Sequence, residues 1–311
     1  MNFHFLRAAD LPACAALVNG SRPGFDARDD VKNAMPLIWR DLLARDEARG
    51  GVVIDRAADG SEAIAAFGLS VFVDDAFADE VVANRPHSCS PVALVYERIL
   101  AGRSPVLSPA AVARANAGDG LTLLVLHFVA RSLSMPPTPA EIAVVTVGHT
   151  MFRLAHEGYN VSRMLHEAYG PTQRAFLEAG GLRFLSGAPD EPLLLMGATR
   201  ADADVHLPGA AVSFLFMRRT PALGFTPAEQ RVLLRAVHDA TDDAIADDLG
   251  ISYDAVKKSW RRIYERVAVG QPGLLEGNDD AADDTLRGKE KRRRLLQYLR
   301  NNLHELRPFK T

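Results

Sequence analysis

The sequence predicts a mixed α/β domain over residues 1–217, followed by an all-α domain. Apolar runs of strand length at 52–54, 63–73 and 121–129 alternate with helical patterns through the first two thirds of the chain. After residue 226 three short amphipathic patterns follow one another, each opened by a capping residue. With 311 residues, 48% of them hydrophobic and 24% charged, the chain is long enough for two cores.

In the first part, Phe3 and Phe5 read as a strand that leads into a helix at Asp10-Leu11-Pro12, with Ala13, Ala16 and Leu17 apolar. Val52 to Ile54 and Ala63 to Val73 flank the polar turn Asp59-Gly60-Ser61, the pattern of a hairpin. Residues 74–117 read as helix and loop punctuated by Pro86, Pro91, Pro105 and Pro109. Leu121 to Val129 is almost continuously apolar, as a strand buried on both faces requires. A long helical pattern covers Ala140 to Ala168, with Gly158 a candidate break. Pro171 to Ala179 predicts a further helix and Leu182 to Leu185 a strand, and Leu193–Met196 with Val212–Met217 reads as a closing antiparallel pair. No internal repeat or low-complexity segment is visible.

In the second part, Thr226, Pro227 and Glu229 supply an N-cap, a proline at the first helical position and a capping-box carboxylate. Val232, Leu233, Ala236 and Val237 recur at helical spacing. Thr241 caps a second helix, with Asp242 and Asp243 at the positive end of its dipole, and Gly250 ends it. Ser252 caps a third helix whose Val256, Ile263 and Val267 point inward. Tyr253, Lys257, Lys258, Arg261 and Arg262 then point outward. The basic residues of this helix, with Arg266, face only Asp254 and Glu265 in opposition.

These residues resemble the LuxR-type helix-turn-helix family. Phe225, Thr226, Glu229, Val232 and Leu233 match its opening, and Ile245, Ala246, Leu249, Ile251, Ser252, Val256, Lys257, Ile263 and Val267 follow in register without a gap. Ala255, Ser259 and Asp239-Ala240-Thr241 depart from the family's threonine, histidine and glycine-containing turn. The resemblance implies that the third helix enters the major groove of double-stranded DNA. Lys257, Lys258 and Arg261 match the groove-facing positions, and Arg262 and Arg266 are expected on phosphates. Trp260 is expected to pack at the rim and His238 to lie on the surface. Two plainer readings stand beside this one: a helical subdomain with a solvated basic face, and a sigma-factor-like helix pair.

The tail departs from that family. Residues 270–285 form a Gly/Pro/Asp-rich acidic loop expected to be flexible, and 286–311 a basic amphipathic helix with Leu295, Leu299, Leu303 and Leu306 near one face. Either this helix docks on the three-helix unit, or its leucines dimerise while Lys289, Lys291 and Arg292 to Arg294 contact phosphates. The domain plan is therefore 1–217, a linker at 218–225, a DNA-binding domain at 226–269, the loop, and the C-terminal helix.

The first part loosely resembles the GNAT acetyltransferase fold: FLRAADLPACAALV is similar to its first strand and helix, and residues 170–185 to its last helix and following strand. After the central strand, however, the chain reads ARSLSMPPTPAE. Pro136, Pro137 and Pro139 lack the N–H donors that a pyrophosphate needs at a helix N-terminus. Loss of acetyl-CoA chemistry is the expectation. His127, His149, His156 and His166 lack metal-ligand spacing, although His149 and His156 share a helical face. Glu141, Glu157 and Glu167 have no visible acid partner, and no phosphate loop, nucleophile elbow or receiver pattern is present.

The net charge is −3, so any nucleic-acid affinity must come from local patches. Cys14 and Cys89 point to a reducing compartment without a disulfide framework. No membrane helix or signal peptide is read. The expectation is a cytoplasmic, sequence-specific transcriptional regulator, not an enzyme, without cofactor or metal. It would bind DNA as a homodimer, with its first domain sensing an unknown small-molecule effector or partner. The alternatives are a GNAT-like acyltransferase with an appended DNA-binding domain, and a DNA-binding scaffold without a ligand.

Overall fold

The computed structural model describes residues 1–21, 27–56, 59–83, 90–186, 191, 193–206, 211–276 and 284–310. Pro86, Cys89 and part of the acidic loop, 277–283, lie outside these. The chain is of mixed α/β class, with one seven-stranded sheet and twelve α-helices among the described residues. It divides into two compact units, Met1–Met217 and Arg218–Thr311.

The first unit is built on strands β1 (Asn2–Phe5), β2 (Ala48–Arg56), β3 (Glu62–Val73), β4 (Leu121–Ala130), β5 (Val161–Tyr169), β6 (Arg183–Ser186) and β7 (Leu193–Thr199), in the order 1-2-3-4-5-7-6. Every pairing is antiparallel except β4 with β5. Helices α1 (Leu11–Ser21), α2 (Asp29–Ala44), α3 (Asp75–Ala83) and α4 (Pro91–Leu100) share one core with Leu124, Leu126 and Leu165. On the other face, α5 (Pro109–Ala117) and α7 (Gly170–Ala179) close a second core over Leu121, Leu123, Val125 and Met164. α6 (Pro139–His156) lies against β1, β2 and β3. β4 is therefore covered on both faces, as its apolar run requires.

Two expectations are corrected here. The helical pattern over Ala140–Ala168 is a helix and a strand. α6 stops at His156, Gly158 takes φ +90°, and Val161–Tyr169 forms β5 between β4 and β7. Residues good at forming helices are overridden there by burial on both sides of a central strand. Val212–Met217 does not pair with Leu193–Met196. Ser213–Phe216 is a 3-10 turn whose Phe214, Leu215 and Phe216 fill the second core, while β7 pairs with β5 and β6.

The β4·β5 ladder ends at Val125↔His166, although β4 continues to Ala130 and β5 to Tyr169. Just there β4 carries a bulge: Leu69 pairs with His127 and Ser70 with Val125, which leaves Leu126 extra.

The described elements of the second unit are all helical: α9 (Pro227–Ala236), α10 (Asp242–Leu249), α11 (Tyr253–Gly270), α12 (Asp284–Asn301) and two 3-10 turns, after α8 (Arg200–His206) ends the first unit's series. Thr226, Thr241 and Ser252 each cap the next helix by accepting a backbone N–H, and Gly250 sits at φ +62°, ψ 36°. A left-handed C-cap favours glycine because a Cβ would crowd the following carbonyl. Residues 218–225, expected as a linker, pack into this unit. Leu223 and Phe225 are buried, and the Ala222 and Leu223 N–H groups donate to the buried Glu305 carboxylate at 3.0 and 2.9 Å.

Candidate functional site

α11 is two-faced. Val256, Trp260, Ile263 and Val267 are buried, and Lys257, Lys258, Arg261 and Arg262 are exposed on the opposite side. Tyr253 lies at the start of that side, 42% exposed, with the Lys257 ammonium 4.5 Å from the centre of its ring. Arg261 faces Glu265 at 3.3 Å, an exposed i,i+4 pair worth little. Four long cations within six positions of one helix face form a concentrated positive strip.

Arg266 does not belong to it. Its Nε donates to Glu229 at 3.0 Å, and Glu229 is 4% exposed. The capping-box carboxylate of α9 thus engages Nε of the guanidinium that the resemblance places on a phosphate. Trp260 packs as expected, with its Nε1 donating to Asp242 at 3.1 Å and Arg292 over its ring at 4.3 Å. His238 is not a surface group. It is half-buried, and burial pushes its pKa down to about 4.

The tail helix resolves in favour of docking within its own chain. The helix expected over 286–311 ends at Asn301, and Leu303–Leu306 is a 3-10 turn. Leu295 and Leu299 on α12 and Leu303 and Leu306 in the turn are all buried, so these leucines are already covered. Arg292 pairs with Asp242 at 2.8 Å, Arg293 and Arg294 pair with Glu290, and Arg300 donates to the Val237 carbonyl at 3.1 Å. Of the cluster expected on phosphates, only Lys289 and Lys291 are exposed with no ion pair among the described residues.

In the first unit, Glu141 holds the N-terminus of α6. It is 6% exposed and accepts from the hydroxyls of Ser132 and Ser134, both at 2.6 Å, and from the N–H and hydroxyl of Thr138, both at 2.8 Å. These donors hold its carboxyl down at about 2. A phosphate approaching this helix end would meet a fixed negative charge. Glu157 pairs with Arg153, and Glu167 accepts from the Ser90 hydroxyl at 2.7 Å and the Val92 N–H at 2.8 Å.

A cavity of about 300 Å³ lies where the β4·β5 ladder ends, between α6, α7 and the sheet. Its wall includes Phe128, Phe152, Met164, Phe176 and Leu177, with Arg49, Ser70, His149, His156 and His166 as polar members. His149 and His156 do share a face, and both reach this cavity. His156 is fixed by both ring nitrogens, to the Ser70 hydroxyl at 2.6 Å and the Phe152 carbonyl at 2.8 Å. His127 packs on the other face of the sheet, 2.6 Å from the Tyr96 hydroxyl and edge-on to Trp39. Among the described residues no group of three or more His, Cys, Asp and Glu is placed to hold a metal. Cys14 is a buried free thiol, pushed up to about 12 by that burial. No described helix is long and apolar enough to cross a membrane. Arg49 escaped the sequence reading because a single arginine in a strand carries no local signal.

No protein-family description matches the sequence, and no curated protein matches it. Among solved structures, the C-terminal condensation domain of Ebony in complex with beta-alanyl-dopamine matches with a TM-score of 0.34 and 14% identity, over 64% of this chain and 98% of that one. The expectation that the chain is not an enzyme is withdrawn on this finding. At that TM-score the likeness carries no argument for a particular activity.

Proposed function

We propose that Arg218–Thr311 is a LuxR-type helix-turn-helix module and that the chain is a sequence-specific, DNA-binding transcriptional regulator. The carrying observation is the division of α11: Val256, Trp260, Ile263 and Val267 anchor it, and Lys257, Lys258, Arg261 and Arg262 are left to solvent. A helix of this breadth fits the major groove, where long cations reach guanine edges or phosphates. Charge is apportioned in the same sense. Residues 218–311 hold 18 Lys and Arg against 15 Asp and Glu, and residues 1–217 hold 18 against 24. One reader spans few base pairs, so two copies on a two-fold site would supply specificity. Since the α12 leucines are covered within the chain, that dimer uses another surface. Selection of bound duplexes from a random pool tests the reading: one enriched motif with paired half-sites supports it, and unenriched binding speaks against it.

The first unit is read as a GNAT-like scaffold. The antiparallel run β1 to β4, the parallel β4·β5 pair bridged by α6, and the antiparallel β5·β7·β6 end support this. In the regulator it is the ligand-responsive part. The acyltransferase alternative gains from the cavity at the end of the parallel ladder and loses from the Glu141 carboxylate at the α6 N-terminus. Calorimetry with acetyl-CoA separates the two.

A further inference from the structure

We infer that the cavity of the first unit is a binding site for a small apolar carboxylic acid whose carboxylate pairs with Arg49. Arg49 reaches the cavity from β2. Its Nε donates to the Tyr159 hydroxyl at 2.8 Å, and its guanidinium lies over the Phe72 and Tyr159 rings at 5.1 and 5.0 Å. No acidic side chain pairs with it among the described residues, and its Nη1 is buried without a hydrogen-bond partner there. A buried cationic donor left unmatched costs free energy, and such exceptions in native folds call for a partner. The two rings and the Tyr159 hydroxyl hold the guanidinium in place in advance, which suits a charge-assisted contact with a carboxylate.

The rest of the cavity sets the body of the ligand. Phe128, Phe152, Met164 and Phe176 present apolar surface, while the hydroxyl of Ser70, the cross-strand neighbour of Arg49, is already engaged by His156. An engineered apolar cavity of roughly 150 Å³ accepts benzene. Twice that volume accommodates roughly ten carbons, as a chain or a ring with a short arm. The assignment gives the effector of the proposed regulator a chemical class, and rests on that reading only for its regulatory meaning.

The test is calorimetry on the full chain with decanoate and 4-phenylbutyrate, using decan-1-ol as the uncharged control. At least one acid is expected to bind one per chain, about tenfold or more tighter than the alcohol, as a charge-assisted pair implies. Arg49→Met is expected to lower acid affinity by about tenfold or more and to leave alcohol binding within about threefold, which also reports an intact cavity. Silence with both acids, equal affinity for acid and alcohol, or an Arg49→Met chain that binds the acid unchanged would each overturn the assignment. If Arg49→Met also loses the alcohol, the acid is titrated into Arg49→Lys, which keeps the charge: retained acid binding supports the anchor, and lost binding with a native melting curve overturns it. Lys257→Ala is expected to bind the acid like the parent chain. Acid binding in a chain without DNA selectivity would remove the regulator reading and leave this site standing.

Discussion

Arg266 donates from Nε to Oε2 of Glu229 at 3.0 Å, and the same oxygen accepts the Thr226 N–H at 2.7 Å. One nearly buried carboxylate therefore caps the start of α9 and ties it to the last turns of α11. Arg266→Ala should lower the stability of the second unit by about 1–2 kcal/mol, since the arginine is partly exposed but its partner is not. DNA affinity, corrected for the folded fraction, should change little. Urea unfolding followed by Trp260 fluorescence in a Trp39→Phe background reads this unit alone, because the chain has two tryptophans. A loss of DNA affinity with unchanged stability would assign Arg266 to a phosphate contact instead.

Gly250→Ala should cost the same unit about 1–2 kcal/mol, because the left-handed turn brings the new Cβ against the following carbonyl. Gly250→Asn should cost less, since asparagine tolerates this conformation. Equal stability for all three would show that the turn relaxes without penalty.

The second unit was largely legible because its signals are local. Thr226, Thr241, Ser252 and Gly250 act within three or four residues of themselves, and each does what its type predicts. What was missed depends on distant partners. Val161–Tyr169 becomes a strand only because β4 and β7 flank it, and Val212–Met217 is apolar because it plugs a core. Arg266 reads in the sequence as a phosphate contact, and its pairing with Glu229, 37 residues earlier, carries no local signal. The candidate cavity was equally hidden: Arg49 acquires meaning only once Phe72 and Tyr159 are brought beside its guanidinium.

Acidification should weaken the second unit through His238. Burial lowers its folded pKa from 6.5 to about 4, so between these values the unfolded chain binds the proton and the folded unit does not. Stability is therefore lost as pH falls through that window. Melting curves at pH 7.5 and 4.5 should show a smaller loss in His238→Gln than in the parent. An equal loss would place the acid sensitivity elsewhere.

Glu141 acts in the first unit with a different window. Its hydroxyl and N–H donors hold the carboxyl at about 2, below the ordinary 4.5, so their stabilisation is present above pH 4.5 and fades as pH falls toward 2. Glu141→Gln, whose amide oxygen cannot accept all four donors, should lower the first unit's melting point at pH 7 and flatten its acid dependence. Trp39 fluorescence in a Trp260→Phe background checks both, and an unshifted melting point would leave the loop ordered by something else.

DNA recognition by the exposed face of α11 is tested most directly by comparing Lys257→Ala, Arg261→Ala and Arg262→Ala with the parent on the selected duplex and on base-substituted versions, across a salt series. Lys257→Ala and Arg261→Ala should each cost about 1–3 kcal/mol on the preferred site and relax base preference. Arg262→Ala should weaken all sequences alike and reduce the salt slope by about 1. Unchanged affinity and unchanged base preference in Lys257→Ala would contradict the assignment of this face to the groove.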